Sequence, residues 1–107
     1  MSARILIAGA LLALAFPAAA ASGSAEAGQK KSAPCAACHG ANGVSVSPEF
    51  PNLAGQYPDY IATALTHYKN GKRKNPIMTA QAANLSPKDI LDLAAYFSSQ
   101  KALQVKH

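Results

Sequence analysis

Both cysteines of the chain lie in one short string, Cys35-Ala36-Ala37-Cys38-His39. A Cys-x-x-Cys-His string is the attachment site of a c-type haem. Two intervening residues let both sulfurs reach adjacent vinyl groups of the porphyrin from one helical turn. The histidine that follows then comes under the macrocycle and can bind iron. The string therefore predicts thioether bonds at Cys35 and Cys38 and an iron ligand at His39.

Two other uses of a Cys-x-x-Cys pair fit this chain less well. A thioredoxin-like redox pair follows a strand in a βαβ unit, and the chain shows no strand pattern. A zinc site needs further ligands, but the chain has neither a second Cys-x-x-Cys nor a close pair of histidines. We therefore expect one covalently bound haem c, with no disulfide and no free thiol.

Met78 is the candidate for the second axial ligand of the iron. It follows Asn75-Pro76-Ile77 in residues 72–85, which lack a helical period, so we expect it in a loop rather than on a packed helical face. A thioether sulfur opposite a histidine raises the reduction potential of a haem. With both axial positions filled, the iron has no open site, which predicts an electron carrier and not an enzyme. The alternative is a methionine that only packs or is exposed.

Residues 1–21 have the features of a secretory signal. Arg4 is followed by a twelve-residue apolar run, then by Pro17 and four alanines. The run is shorter than the roughly 20 residues that span a bilayer, so the alternative of an uncleaved anchor is disfavoured. We expect cleavage after Ala21, a periplasmic location, no stable membrane insertion, and one domain over residues 22–107.

The charge of the exported part indicates its partners. Without residues 1–21 the chain keeps nine basic and five acidic residues, a formal charge of +4. Export and the lack of a basic run interleaved with aromatic residues argue against nucleic acid. We expect a monomer that meets redox proteins with acidic docking surfaces. The proposed steering residues are Lys69, Lys72, Arg73 and Lys74, and incidental surface charge is the alternative.

The elements that must position these residues are helical. Periodicity and end signals predict helices over residues 25–38 and 58–70, and a third from Pro87 to about residues 99–101, with Ser86 as its N-cap. Residues 72–85 form a loop, with a helical turn around 80–83. Gly28 indicates either fraying or a close approach of another element.

Only 14 of the 86 exported residues, about 16%, are Val, Ile, Leu or Phe, below the roughly 20% typical of folded domains. A bound macrocycle would supply the missing core.

Taken together, the sequence resembles the class I cytochromes c, in particular small periplasmic members and one half of a dihaem cytochrome c4. Beyond Cys35–His39, the matching segments are Phe50-Pro51-Asn52-Leu53-Ala54-Gly55-Gln56, Met78, and Asp92-Leu93-Ala94-Ala95-Tyr96-Phe97-Ser98-Ser99-Gln100.

This resemblance implies an all-α fold of three to four helices wrapped around one haem. It assigns His39 and Met78 as axial ligands and the Pro51 carbonyl as the hydrogen-bond acceptor of the histidine. It implies that Gly28 lets the first helix cross closely against the last, near Tyr96 or Phe97. A second Cys-x-x-Cys-His is missing, so a monohaem protein is expected. The implied function is electron transfer between respiratory or dehydrogenase partners. The alternatives are a haem module of one enzyme complex and a haem-based sensor of small ligands.

Overall fold

The computed structural model describes residues 23–101, and the predicted signal over residues 1–21 lies outside this range. The described part contains five helices and no strand, which confirms the all-α class, although three to four helices were expected. None of these helices combines the length and apolarity needed to cross a bilayer. The helices are α1 (Ala25–Lys31), α2 (Ala33–His39), α3 (Pro58–Asn70), α4 (Pro76–Ala82) and α5 (Pro87–Ser98).

The single helix predicted over residues 25–38 is wrong, because the chain breaks at Ser32 into α1 and α2. Pro34 has no N–H to donate to the carbonyl of Lys30, and its ring would clash with that carbonyl in a continuous helix. Ser32 closes α1 by donating from its backbone N and its Oγ to the Gln29 carbonyl, at 3.2 and 2.8 Å. The break lets the cysteine-bearing helix take a direction of its own.

The helix over residues 58–70 is confirmed as α3. Pro58 occupies its first turn, and Gly71 ends it in the left-handed conformation, with φ of +86°. On its apolar face Ile61 and Leu65 are buried. This face packs on α5, while α4 packs on α3. Because α3 contacts both, it fixes the position of α4 relative to the core.

The predicted start of α5 at Pro87 is confirmed. The helix ends at Ser98, slightly before the predicted end near residues 99–101. The Ser86 Oγ accepts a hydrogen bond from the Asp89 backbone N at 3.0 Å, and an Asp89 carboxylate oxygen accepts from the Ser86 backbone N at 2.9 Å. This reciprocal capping box explains the sharp start. The buried faces of α3 and α5 form a cluster that we call the α3–α5 core: Ile61, Leu65, Ile90, Leu93, Ala94, Tyr96 and Phe97.

Helix α1 crosses α5 at Gly28, as the resemblance implied. A Cβ atom at Gly28 would lie 2.0 Å from the Asp92 carbonyl oxygen and 2.8 Å from the Tyr96 Cβ, so only glycine fits. The Asp92 carboxylate is fully buried at this crossing and accepts hydrogen bonds from the Ser24 backbone N and the Lys31 ammonium group. The crossing is therefore held by both close packing and a paired buried charge.

Candidate haem site

Helix α2 presents the two cysteines about one turn apart on one side of the helix. Both side chains are half-buried free thiols. Burial raises the pKa of the Cys35 thiol above its usual value. Cys35 also packs against the α3–α5 core, so this face of α2 points towards the centre of the domain.

His39 is the last residue of α2 and is 7% exposed. Its Nδ1 lies 2.8 Å from the Pro51 carbonyl oxygen. A carbonyl can only accept, so Nδ1 carries the proton and Nε2 is left with its lone pair. The ring is further confined by an edge-on contact with Phe50, at 6.4 Å between ring centroids. The predicted partners His39 and Pro51 are thus brought together with the tautomer that metal ligation needs.

A hydrogen-bonded loop between α2 and α3 holds the Pro51 carbonyl in place. The Gly43 carbonyl accepts from the backbone N atoms of Leu53 and Ala54, at 2.7 and 3.0 Å. The Asn52 side-chain oxygen accepts from the Ser45 backbone N at 2.6 Å. These contacts were not predictable from residue types, apart from the glycines and the asparagine that are typical of tight turns.

Met78 lies in the first turn of α4, so its expected position in an irregular loop is wrong. The missed signal is local: the Asn75 side-chain oxygen caps the helix by accepting from the backbone N atoms of Ile77 and Met78, and Pro76 follows the cap. The helix begins at Pro76 rather than near residue 80. The Met78 side chain is half-buried and packs against the same α3–α5 core as Cys35. The fold therefore brings α2 and α4 to one shared core.

These residues fit a covalently held haem in their donor chemistry. They comprise two thiols on one helical turn, an imidazole with Nε2 free to ligate, and a thioether from another helix. Large apolar side chains in the loop after α2, at the start of α3 and in α4 are also exposed. These are Val46 (82% exposed), Tyr57 (77%), Tyr60 (52%) and Ile77 (53%).

Comparison with known proteins gives the family of this chain. Residues 25–101 match the family model described as Cytochrome c. The chain is 52% identical over 81 residues to cytochrome c4 of Pseudomonas aeruginosa, an alignment that covers 76% of this chain and 40% of that protein. It is 44% identical over 82 residues to cytochrome c-554(548) of Halomonas halodenitrificans, covering 74% of this chain and 99% of that protein. In structure it is similar to reduced recombinant cytochrome c4 from Pseudomonas stutzeri, with a TM-score of 0.71, 47% identity, and coverage of 75% and 47% of the two chains.

The chain therefore belongs to the cytochrome c family, whose members are haem-based electron-transfer proteins. Membership implies a covalently attached haem c, and the single Cys-x-x-Cys-His string provides for one. The chain spans less than half the length of the cytochrome c4 proteins that it matches.

Proposed function

We propose that this chain is a periplasmic electron carrier that holds one electron on a haem c, whose iron is ligated by His39 and Met78. One observation carries the proposal: His39 donates through Nδ1 to the Pro51 carbonyl at 2.8 Å, which leaves Nε2 free for a metal. The same helix carries both thiols. When bound, the haem supplies a reversible one-electron change at iron.

Each protein residue has a distinct part in this function. Cys35 and Cys38 would hold the macrocycle through thioethers. The Pro51 carbonyl orients His39 and makes its imidazole a stronger electron donor. Met78 would supply a soft sulfur that favours ferrous iron. His39 and Met78 together would leave no coordination site open to a substrate, which favours electron transfer over substrate turnover.

Spectra of the haem-loaded protein test the ligand set. We expect a covalent haem signature, a sulfur–iron charge-transfer band in the oxidised form, and no carbon monoxide binding in the reduced form. Met78→Ala should lose the band and bind carbon monoxide. Gln81→Ala is the matched control, because Gln81 is an exposed residue of the same helix. Carbon monoxide binding by the unmodified protein would contradict Met78 ligation and favour a small-ligand sensor.

The periplasmic location rests on the composition of residues 1–21. We expect the exported protein to begin at Ser22 and to be monomeric. Mass spectrometry of the protein from the periplasmic fraction tests the cleavage site, and sedimentation tests the monomer. A protein that retains residues 1–21 and stays with the membrane would contradict both cleavage and a diffusible carrier. Stable co-purification with a dehydrogenase would favour a module dedicated to one enzyme complex.

An acidic docking surface on the partner is supported by the basic residues at the end of α3 and in the loop before α4. Lys69, Lys72, Arg73 and Lys74 are all exposed, and none belongs to an ion pair within residues 23–101. Arg73 stacks over the Tyr68 ring at 4.8 Å, and Lys69 donates to the Ala83 carbonyl at 2.9 Å. This fixed positive charge adjoins the helix that carries Met78, where it can steer an approaching anionic surface.

Charge reversal tests the steering. Lys72→Glu with Lys74→Glu spares the stacked Arg73 and should slow reduction by an acidic flavodoxin about tenfold at low ionic strength, converging with the unmodified protein at high salt. Lys30→Glu with Lys101→Glu changes the net charge equally at other exposed positions. Equal effects of both double variants would show that net charge, not this surface, sets the rate.

A further inference from the structure

We propose that Tyr96 is a positioning residue for the haem histidine. Its hydroxyl holds the turn after His39, and thereby keeps the Pro51 carbonyl within hydrogen-bond distance of the imidazole. This inference rests on the proposed role of His39 as an iron ligand. It adds to that role a residue of α5, which is distant in sequence from the attachment string.

The Tyr96 hydroxyl makes a direct link between α5 and the turn that follows α2. It donates to the Ala41 carbonyl at 2.7 Å, although the two residues are 55 positions apart. The Tyr96 ring is buried in the α3–α5 core and meets the Phe97 ring edge-on at 5.0 Å. Since the ring is fixed by packing, the direction of the hydroxyl is fixed as well.

A second set of contacts carries this restraint from the turn to Pro51. The Gly43 backbone N donates to the Gly40 carbonyl at 3.0 Å, which places Ala41 inside a closed turn. The Gly43 carbonyl in turn binds the backbone N atoms of Leu53 and Ala54, the residues that closely follow Pro51. Any displacement of the turn is therefore passed to the segment that bears the Pro51 carbonyl.

Helix α5 also holds the far end of the same segment. The Gly55 backbone N donates to the Phe97 carbonyl at 3.1 Å. Gly43 is closely packed against this segment and α5, because a Cβ atom at Gly43 would lie 2.8 Å from the Ala54 backbone N and 3.0 Å from Phe97 Cδ1. The segment is thus held by two neighbouring residues of α5: Tyr96 acts through its side-chain hydroxyl and Phe97 through its backbone carbonyl.

Tyr96→Phe isolates the effect of that hydroxyl. The ring packing and the bond between Gly55 and Phe97 persist, and only the Ala41 carbonyl loses its donor. We expect the bond between His39 and Pro51 to open more often, so that the Nδ1 proton exchanges about fivefold faster, the ratio that one hydrogen bond of about 1 kcal/mol supports. We also expect a higher reduction potential, because the imidazole becomes a weaker donor to ferric iron.

The experiment compares the haem-loaded protein with Tyr96→Phe and Ser98→Ala. Ser98→Ala is the matched control, because it removes from the same helix a hydroxyl that donates within α5, to the Ala95 carbonyl at 3.2 Å. The readouts are exchange of the hyperfine-shifted Nδ1 proton, by NMR, and the reduction potential. Faster exchange and a higher potential in Tyr96→Phe, with Ser98→Ala unchanged, support the assignment.

Two results would overturn it. The first is a Tyr96→Phe protein with unchanged exchange and potential, or with the same changes as Ser98→Ala. The second is exchange in Tyr96→Phe that merely follows global unfolding, as measured by guanidinium titration of the same samples. If the unmodified protein shows no hyperfine-shifted imidazole proton, the ligand assignment of His39 fails and this inference fails with it. An unchanged Tyr96→Phe protein that does show this proton refutes only the role of Tyr96.

Discussion

Gly28→Ala should change the stability of the protein in two opposite ways, through the helix propensity of α1 and through its packing against α5. Alanine in place of a helical glycine stabilises an exposed helix by about 1 kcal/mol. At the crossing of α1 and α5, however, the new Cβ would lie 2.0 Å from the Asp92 carbonyl oxygen, while ordinary contacts begin at 3.4 Å. The obstacle is backbone, which cannot rotate away as a side chain can. Helix α1 must therefore move by about 1.4 Å, which is a large displacement at a close-packed contact.

This displacement should outweigh the gain in helix propensity. Overpacking of this kind costs up to about 3 kcal/mol, which leaves a net loss of about 2 kcal/mol in the free energy of unfolding. The movement also draws Ser24 and Lys31 away from the buried Asp92 carboxylate, to which they donate at 2.8 and 2.6 Å. For a domain of this size we expect a thermal midpoint about 10 °C lower.

The assay is thermal unfolding of the haem-loaded protein, followed by far-ultraviolet circular dichroism. Gln29→Ala is the control, since it places alanine on the next, exposed position of α1. A Gly28→Ala protein that is as stable as the unmodified chain, or more stable, would refute the crossing and support simple fraying of the terminus. A loss shared by Gln29→Ala would place the effect in the helix itself and not in its contact with α5.

Three further predictions concern stability. Ser86→Ala removes the acceptor for the Asp89 backbone N and should lower the free energy of unfolding by about 1 kcal/mol, whereas Ser86→Thr keeps a hydroxyl acceptor and should lose less. Equal guanidinium midpoints for the two variants would contradict the capping box. Hydrogen bonding to Lys31 lowers the pKa of Asp89 from 3.8 to about 2 and also lowers that of Asp92, so their stabilisation is complete above pH 3.8 and is lost as the pH falls towards 2. Between pH 5 and 2, the free energy of unfolding should fall less for Asp92→Asn than for the unmodified chain. An equal fall in both proteins would contradict a stabilising role for the Asp92 carboxylate. Cys35→Ala with Cys38→Ala should abolish cooperative thermal unfolding, because the aliphatic core is small without the haem, and a retained cooperative transition would disprove that dependence.

Signals that act within a few residues accounted for much of the molecule. The bounds of α3 and the start of α5 were predicted correctly because each depends on neighbours in the chain: a capping residue, a proline in the first turn, an apolar period, a terminal glycine. The break at Ser32 and the start of α4 are local too, and the signals for both were present. Pro34 and the pair Asn75-Pro76 mark these two boundaries, whereas the hydrophobic period does not.

Other features were decided by contacts between distant parts of the chain. The Pro51 carbonyl could be assigned only through the family resemblance, since a backbone acceptor leaves no mark in residue type. The link from Tyr96 to Ala41 could not be assigned at all, because a tyrosine on an apolar helical face looks like any other core residue. Asp92 likewise looks in the sequence like a helical acid paired only with Lys88 four residues before it, whereas the packing of α1 adds the contacts from Ser24 and Lys31. Residue types and their spacing therefore predict the groups that we propose attach and ligate the haem, while tertiary packing decides how the histidine among them is oriented.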